Sequence, residues 1–346
     1  MKYVKQKSMC SGCAMCVAQC PVNAIYMKRD KKGFKYPIID NDKCIKCGKC
    51  KECCPFDRRA CDSGTLVNVY ACVSKSENVH TKSRSGGFFY ELAKYVIENG
   101  GVVYGAAFNE LWDVRHIRID SVLELKKLQG SKYVQSDIEK CYASIGKDID
   151  NHRIVLFSGT GCQCHAIKRR FPDNENLILC DIICAGVPSP KVWHDYISYS
   201  KRKLIKEINF RDKEIFNWGD MYEKIVYKGY TKYSYLYAEL FGSGLIYRES
   251  CFNCPYTTCN RTTDFTIGDA WNVTRAVKQQ QLGISLVMTH SDKAECLYTA
   301  IKGRLDGRKV RGEKYKQPRL RSPFPKPMNY ERFWDDYLKK GPRYIY

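Results

Sequence analysis

The sequence predicts a chain of α+β and α/β character, in which a small cysteine-rich domain precedes a larger domain built on a mixed sheet. Three observations carry that prediction. One cysteine pattern occurs twice within the first 62 residues, at 10–21 and at 44–55. From Leu66 onward, apolar runs of strand length alternate with stretches of helical periodicity. The chain of 346 residues is also long enough to bury one substantial core beside a small unit.

The N-terminal pattern is the most specific. Cys10 to Pro21 reads CSGCAMCVAQCP and Cys44 to Pro55 reads CIKCGKCKECCP, both of the form C-x2-C-x2-C-x3-C-P. Three closely spaced thiolates reach three corners of a 4Fe–4S cubane, and the fourth cysteine reaches over to the other cluster. This assigns Cys10, Cys13, Cys16 and Cys54 to one cluster, and Cys44, Cys47, Cys50 and Cys20 to the second. Zinc would use two C-x2-C pairs and gain nothing from a third cysteine, or from a fourth before proline. Cys53 is out of register and is left out. The insert between the repeats holds two short apolar pieces, Ala24 to Tyr26 and Tyr36 to Ile39. Residues 1–62 thus resemble a two-cluster bacterial ferredoxin domain.

In the larger domain the periodicity predicts helices over 86–99, 140–149, 162–171 and 190–204, the last opened by proline. Strands are predicted over 102–108, 114–119, 153–157 and 177–183, with others near Ile225, Phe265 and 284–288. The stretch FSGTGCQCHAIK places Gly159, Gly161 and Cys162 on a strand-to-helix turn, a place where glycine-rich backbone often meets phosphate. The Pro- and Arg-rich residues after Gly312 read as a wrapping arm rather than a core element. The expected organisation is therefore 1–62, 66–312 and a C-terminal arm over 313–346.

Composition narrows the setting. Met1 to Cys10 has no apolar signal-peptide region and no apolar run approaches a membrane span, so the expectation is a cytoplasmic protein. There, 20 cysteines are better explained by metal or cluster ligation than by disulfides. The net charge of +21 is concentrated at the ends: residues 1–60 and residues 301–346 each carry 14 Lys and Arg against 5 Asp and Glu. No nucleic-acid motif accompanies this charge; a plain solvated basic surface is one reading, and a docking face for an acidic electron carrier is the sharper one.

Several further stretches together resemble the beta subunits of deazaflavin-coenzyme (F-420) hydrogenases and dehydrogenases. They are SRSGGFF at 83–89, GSKYVQS at 130–136, FSGTGCQ at 157–163, CAGVPSPKVW at 184–193 and SCFNCPYTTCNRTTDFTIGDAW at 250–271. The resemblance implies an FAD-binding iron–sulfur protein with a third cluster on Cys162, Cys184, Cys251 and Cys254. Cys180 and Cys259 are rivals for a ligand place, and a Cys162–His165 nucleophile pair is the alternative for the turn. Cys61, Cys72, Cys141 and Cys296 lack partner spacing, and most of them are expected to be buried small hydrophobes. For FAD the resemblance points to Ser83, Ser85, Gly86 and Gly87 before a helix, with Lys132, Tyr133 and Thr160. An ordinary helix cap at Gly86 would explain the first group nearly as well. Lys132 or Arg84 would meet an anionic group of the substrate.

The function so implied is a ferredoxin-linked reductase of a small organic substrate or of the deazaflavin coenzyme, served by an acidic ferredoxin or flavodoxin. Two rivals stand beside it: an electron-transfer subunit of a larger redox complex, and a nucleic-acid-binding protein with structural clusters.

Overall fold

The computed structural model describes residues 2–3, 5–56, 64–199, 202–273 and 282–345. The N-terminal domain has a small antiparallel sheet, β1 (Lys2–Tyr3), β2 (Ile25–Arg29) and β3 (Lys35–Ile39), in the order β1-β3-β2. Each cysteine run wraps a tight loop and continues into one helical turn, Met15–Ala18 and Lys49–Glu52.

The large domain takes its strands from both halves of the remaining chain. They are β4 (Asn68–Ser74), β5 (Val102–Phe108), β6 (Val114–Ile119), β7 (Val155–Thr160) and β8 (Leu177–Ile182). The chain then makes a separate antiparallel sheet, β9 (Ile205–Asn209), β10 (Glu223–Tyr227) and β11 (Thr231–Ser234). It returns through β12 (Phe265–Asp269), β13 (Ser285–Thr289) and β14 (Leu305–Lys309). The eight strands lie in the order β14-β4-β13-β12-β8-β7-β5-β6. Strands β5, β7, β8 and β12 are mutually parallel, whereas β6, β13 and β14 pair antiparallel with their neighbours.

Parallel strands are covered on both faces, which is why they read as continuous apolar runs. Val103, Leu156 and Ile178 point to one layer, packed by the helices Phe88–Glu98 and Asp292–Ile301. Val102, Tyr104, Val155, Phe157 and Leu179 point to the other, under the helices Cys141–Asp150 and Gly161–Arg170. Ala14 and Met15 belong to that second layer, so the cysteine-rich domain is packed onto the large one through its core.

Several expectations need correction. The helix expected from Gly86 begins at Phe88, because Gly87 takes a left-handed φ of 92° and caps it. The helix from Pro190 ends at Tyr199, and Arg202–Leu204 is a separate 3-10 turn. The strand near Ile225 lies in the small sheet, not the large one. The C-terminal segment is more than an arm: Tyr330–Lys340 is a helix that buries Tyr330, Phe333, Trp334 and Tyr337. Those four side chains join Phe34, Tyr36, Trp193 and Tyr237 in one aromatic core. Full burial of a large apolar side chain contributes roughly 1.5–3 kcal/mol, so this helix is a principal clamp between the two domains. Cys72 and Cys141 are buried, but Cys296 is exposed on its helix, and Cys61 lies outside the described residues. Among the described residues no helix is long and apolar enough to cross a membrane.

Candidate functional site

The two N-terminal cysteine loops share one backbone solution. Gly12 and Ala14 in the first loop have φ of 71° and 59°, and Lys46 and Gly48 in the second have 56° and 77°. Left-handed residues alternating with ordinary ones turn successive N–H groups to one side, forming a concave cradle suited to an anionic group. Cys16 lies in the field of Cys13, Cys10, Cys53 and Cys54, so the out-of-register Cys53 is also close to this set, and Cys50 lies in that of Cys44, Cys47 and Cys20. Burial pushes the Cys13 thiol up to about 12 and Cys16 well above the ordinary thiol range. Thiolates at these positions therefore need a compensating cation. Cys47 is exposed, as are Lys46, Lys49 and Lys51 around it.

The strand-to-helix turn is held by Thr160 and Gln163. The Thr160 backbone N–H donates to Gln163 Oε1 at 3.0 Å in a capping box that opens the helix Gly161–Arg170. Cys162, in the first turn, sits 3.2 Å from Thr160 Oγ1. It lines a cavity together with Cys184, which follows β8, and with Cys251 and Cys254 from a 3-10 turn and the residue capping it. A Cβ on Gly161 would approach Arg261 Nη1 to 2.8 Å, so glycine here lets the guanidinium close one side of the cavity. Burial raises all four thiols, Cys184 to about 12. Phe56 and Tyr256 form one buried apolar cluster, and Cys54, Cys162 and Cys254 all pack against it.

The rival cysteines lie elsewhere. Cys180 is packed among the helices over the sheet, and Cys259 packs beside Leu320. Cys164 faces the opposite layer. His165 is turned to Thr262, 3.0 Å from Nδ1, and burial pushes it down to about 4. No group of three or more His, Cys, Asp or Glu among the described residues closes on a single metal-ion position.

The residues expected at a flavin are only partly gathered. A Cβ on Gly86 would lie 2.2 Å from the Cys72 carbonyl and 2.6 Å from Ser285 N, so packing against the sheet demands this glycine whatever binds nearby. Ser85 Oγ donates to the Ile284 carbonyl at 2.5 Å, and Ser83 Oγ is 3.5 Å from Gln129 Nε2. The first turn of the helix after Gly87 already holds a buried carboxylate, Glu91, which accepts from Ser74 Oγ at 2.5 Å. Lys132 donates to the Lys127 and Gln129 carbonyls, both at 2.9 Å, and burial pushes it down to about 7. Arg84 behaves differently: its Nη2 donates to the Tyr133 hydroxyl, while its Nη1 is buried without a partner.

Two cations that the motifs do not mark join Arg84. Arg211 bonds Asp269 Oδ2 at 3.1 Å through Nη1 and lies over the Trp271 ring, and its Nε is buried and unpartnered. Lys213 donates to the carbonyls of His80 (2.8 Å), Ser85 (3.2 Å) and Leu282 (2.5 Å), fastening the Ser83–Gly87 turn. Burial, then Arg84, push Lys213 down to about 7, with Asp269 acting against them. Three cations thus face one carboxylate, with two guanidinium N–H groups unspent. Trp218 and Trp271 stack beside them with centroids 4.3 Å apart. Asp269 and Cys184 both leave the C-terminal edge of adjacent parallel strands, β12 and β8. Neighbouring strands are about 5 Å apart, so the cationic cluster around Asp269 and the cysteine cavity sit at neighbouring strand ends, on the edge where such sheets bind ligands.

Comparison with known proteins meets this geometry. A family model for the C terminus of the beta subunit of Coenzyme F420 hydrogenase/dehydrogenase matches residues 152–310, and a 4Fe-4S dicluster domain matches residues 9–58. Over residues 152–310 the large domain is thus similar to that family of beta subunits. With its dicluster domain the chain is an iron–sulfur protein of electron-transfer type. It is 23% identical over 225 residues to the F subunit of F(420)H(2) dehydrogenase from Methanosarcina mazei, covering 60% of this chain and 61% of that relative. It is 40% identical over 58 residues to the iron-sulfur subunit of arsenate respiratory reductase from Shewanella, covering 16% and 23%. The chain thus spans less than two thirds of either relative. A solved chain from the F420-reducing NiFe hydrogenase complex of Methanosarcina barkeri shares the fold, with a TM-score of 0.52 and 13% identity over 81% of this chain and 91% of that one.

Proposed function

We propose that the chain is an iron–sulfur flavoprotein oxidoreductase that takes electrons from an acidic ferredoxin or flavodoxin and reduces a small organic substrate or a deazaflavin coenzyme. The observation that carries this reading is the cavity shared by Cys162, Cys184, Cys251 and Cys254, whose wall includes Phe56 and Tyr256, against which Cys54 also packs. Clusters supply one-electron carriage, and a flavin supplies the change to two-electron chemistry. A zinc ion with bonds of about 2.3 Å would draw its sulfurs to one point, whereas thiols spread round a cavity wall suit the corners of a cubane.

The chain's own residues then have definite tasks. Cys44, Cys47, Cys50 and Cys20 would hold the cluster nearest the surface, where Lys46, Lys49 and Lys51 present positive charge to an acidic carrier. Cys10, Cys13, Cys16 and Cys54 would hold the next, and Phe56 with Tyr256 excludes water between it and the cavity. Arg84, Arg211 and Lys213 suit the phosphates of FAD, with the Trp218–Trp271 pair as an aromatic shelf. The test is anaerobic reduction by reduced ferredoxin of the Cys162→Ser chain. The N-terminal clusters should bleach while bound flavin stays oxidised; flavin reduction at the unaltered rate would contradict this order.

A second reading is a subunit that works only with a partner chain. It is favoured by the apolar and aromatic side chains exposed near the small sheet, Ile215 at 63%, Tyr230 at 51% and Tyr235 at 44%, and by the relatives being named as subunits. Stoichiometric co-purification of a second chain, with reductase activity only in the complex, would decide for it.

A further inference from the structure

Arg248 is fully buried, at 0% exposure, at the seam between the two domains. Its Nε donates to the Cys10 carbonyl at 2.6 Å, Nη1 to Gln135 Oε1 at 3.0 Å and Nη2 to the Lys35 carbonyl at 2.9 Å. Nη2 also reaches Cys10 Sγ at 3.7 Å, and the guanidinium lies 4.1 Å from the Tyr36 ring centroid. The same side chain lines the cavity of Cys162, Cys184, Cys251 and Cys254. A Cβ on Gly12 would fall 2.8 Å from Nη1, so the glycine of the first cysteine loop makes room for this cation.

The three oxygen acceptors, the Cys10 and Lys35 carbonyls and Gln135 Oε1, are neutral. Among the described residues no carboxylate lies within ion-pair distance of Arg248. The other guanidinium on the cavity wall, Arg261, is paired with Asp181 at 2.9 Å. A buried guanidinium without an anion is strongly unfavourable, and here it touches one cysteine set and lines the cavity of another.

We propose that Arg248 is the shared counter-charge of the Cys10/Cys13/Cys16/Cys54 cluster and the Cys162/Cys184/Cys251/Cys254 cluster, and that it sets their reduction potentials. This rests on the cluster assignments above. A positive charge stabilises the reduced, more negative form of a cluster, and its effect falls with distance. The two clusters that flank Arg248 are therefore held easier to reduce, while the Cys44/Cys47/Cys50/Cys20 cluster is hardly touched. Electrons arriving at the surface cluster are drawn inward.

The test is a redox titration of the full anaerobic chain, followed by electron paramagnetic resonance, for Arg248→Met, Arg248→Gln and Arg248→Lys. Both neutral variants should lower two of the three midpoints by a tenfold or greater loss of electron affinity, about 59 mV for one electron. The third midpoint should stay in place, and Arg248→Lys should restore the two that moved. Arg248→Gln keeps a donor for the Cys10 carbonyl, so it separates charge from the hydrogen bond. If both neutral variants lose iron while Arg248→Lys keeps it, the counter-charge role also stands. Three unmoved midpoints in a neutral variant, or a lysine variant that falls as far as methionine, would overturn it. An unaltered chain with only two clusters would instead refute the assignments beneath it.

Discussion

Changing Arg211 to Gln removes one of the two guanidinium groups that face the cationic pocket. Arg211 Nε is buried without a partner, so an anionic flavin phosphate there would gain a charge-assisted hydrogen bond worth about 1.5–3 kcal/mol. At about 1.4 kcal/mol per decade, its loss weakens flavin binding by roughly ten- to a hundredfold. The variant also strips Asp269 of its partner at 3.1 Å, leaving a carboxylate beside the phosphate and pushing the effect to the upper end. Flavin affinity is read by fluorescence quenching under anaerobic conditions, with iron content as the control for folding. Asp269→Asn is the informative contrast: it removes the repelling charge and should leave flavin binding as tight or tighter. Unchanged affinity in Arg211→Gln, with iron intact, would refute the placement. Equal losses in Arg211→Gln and Asp269→Asn would show that the pair serves structure alone.

The remaining expectations are more direct. Burial pushes Lys213 from an ordinary 10.5 down to about 7, so anion binding beside it should take up a proton and flavin affinity should fall as pH rises from 6 to 8.5. The sign for stability is opposite: between those two values the unfolded chain holds the extra proton, so the lysine's burial penalty fades as pH rises. Lys213→Met should flatten the affinity profile, and an unflattened one would assign the titration to another group. Charge reversal at Lys46, Lys49 and Lys51 should slow reduction by an acidic ferredoxin as high salt does, measured by stopped flow, because screening acts on encounter. A rate indifferent to both would return the three lysines to plain solvated surface. Trp334→Ala should cost about 3–5 kcal/mol in denaturant unfolding, since the indole fills the aromatic core. An unchanged midpoint would mean that the C-terminal helix carries little of the inter-domain packing.

What could be read in advance followed from how local the chemistry is. The N-terminal cysteine loops were legible because cluster ligation dictates both spacing and the left-handed residues, and Gly12 and Gly48 are visible in the string. The parallel strands were legible because burial on two faces leaves unbroken apolar runs. Cys162, Cys184, Cys251 and Cys254 come from three distant segments, so only the family resemblance could group them. Arg211 and Lys213 carry no motif at all; the small-sheet excursion brings them to the Ser83–Gly87 turn, which no local pattern encodes. The helix Tyr330–Lys340 is a different kind of miss. Its aromatics stand at i, i+3, i+4 and i+7, a complete helical signal that the Pro- and Arg-rich approach obscured. Gly86 shows the converse: its place in a family motif suggested a ligand, while the Cys72 carbonyl behind it already demands glycine.

Iron analysis of the anaerobically prepared chain, beside its Cys162→Ser variant, tests the central claim most directly. Three cubanes predict about 12 iron per chain, and the substitution should remove about four while leaving the N-terminal pair intact. About eight iron in the unaltered chain, unchanged by the substitution, would contradict a cluster in the large-domain cavity.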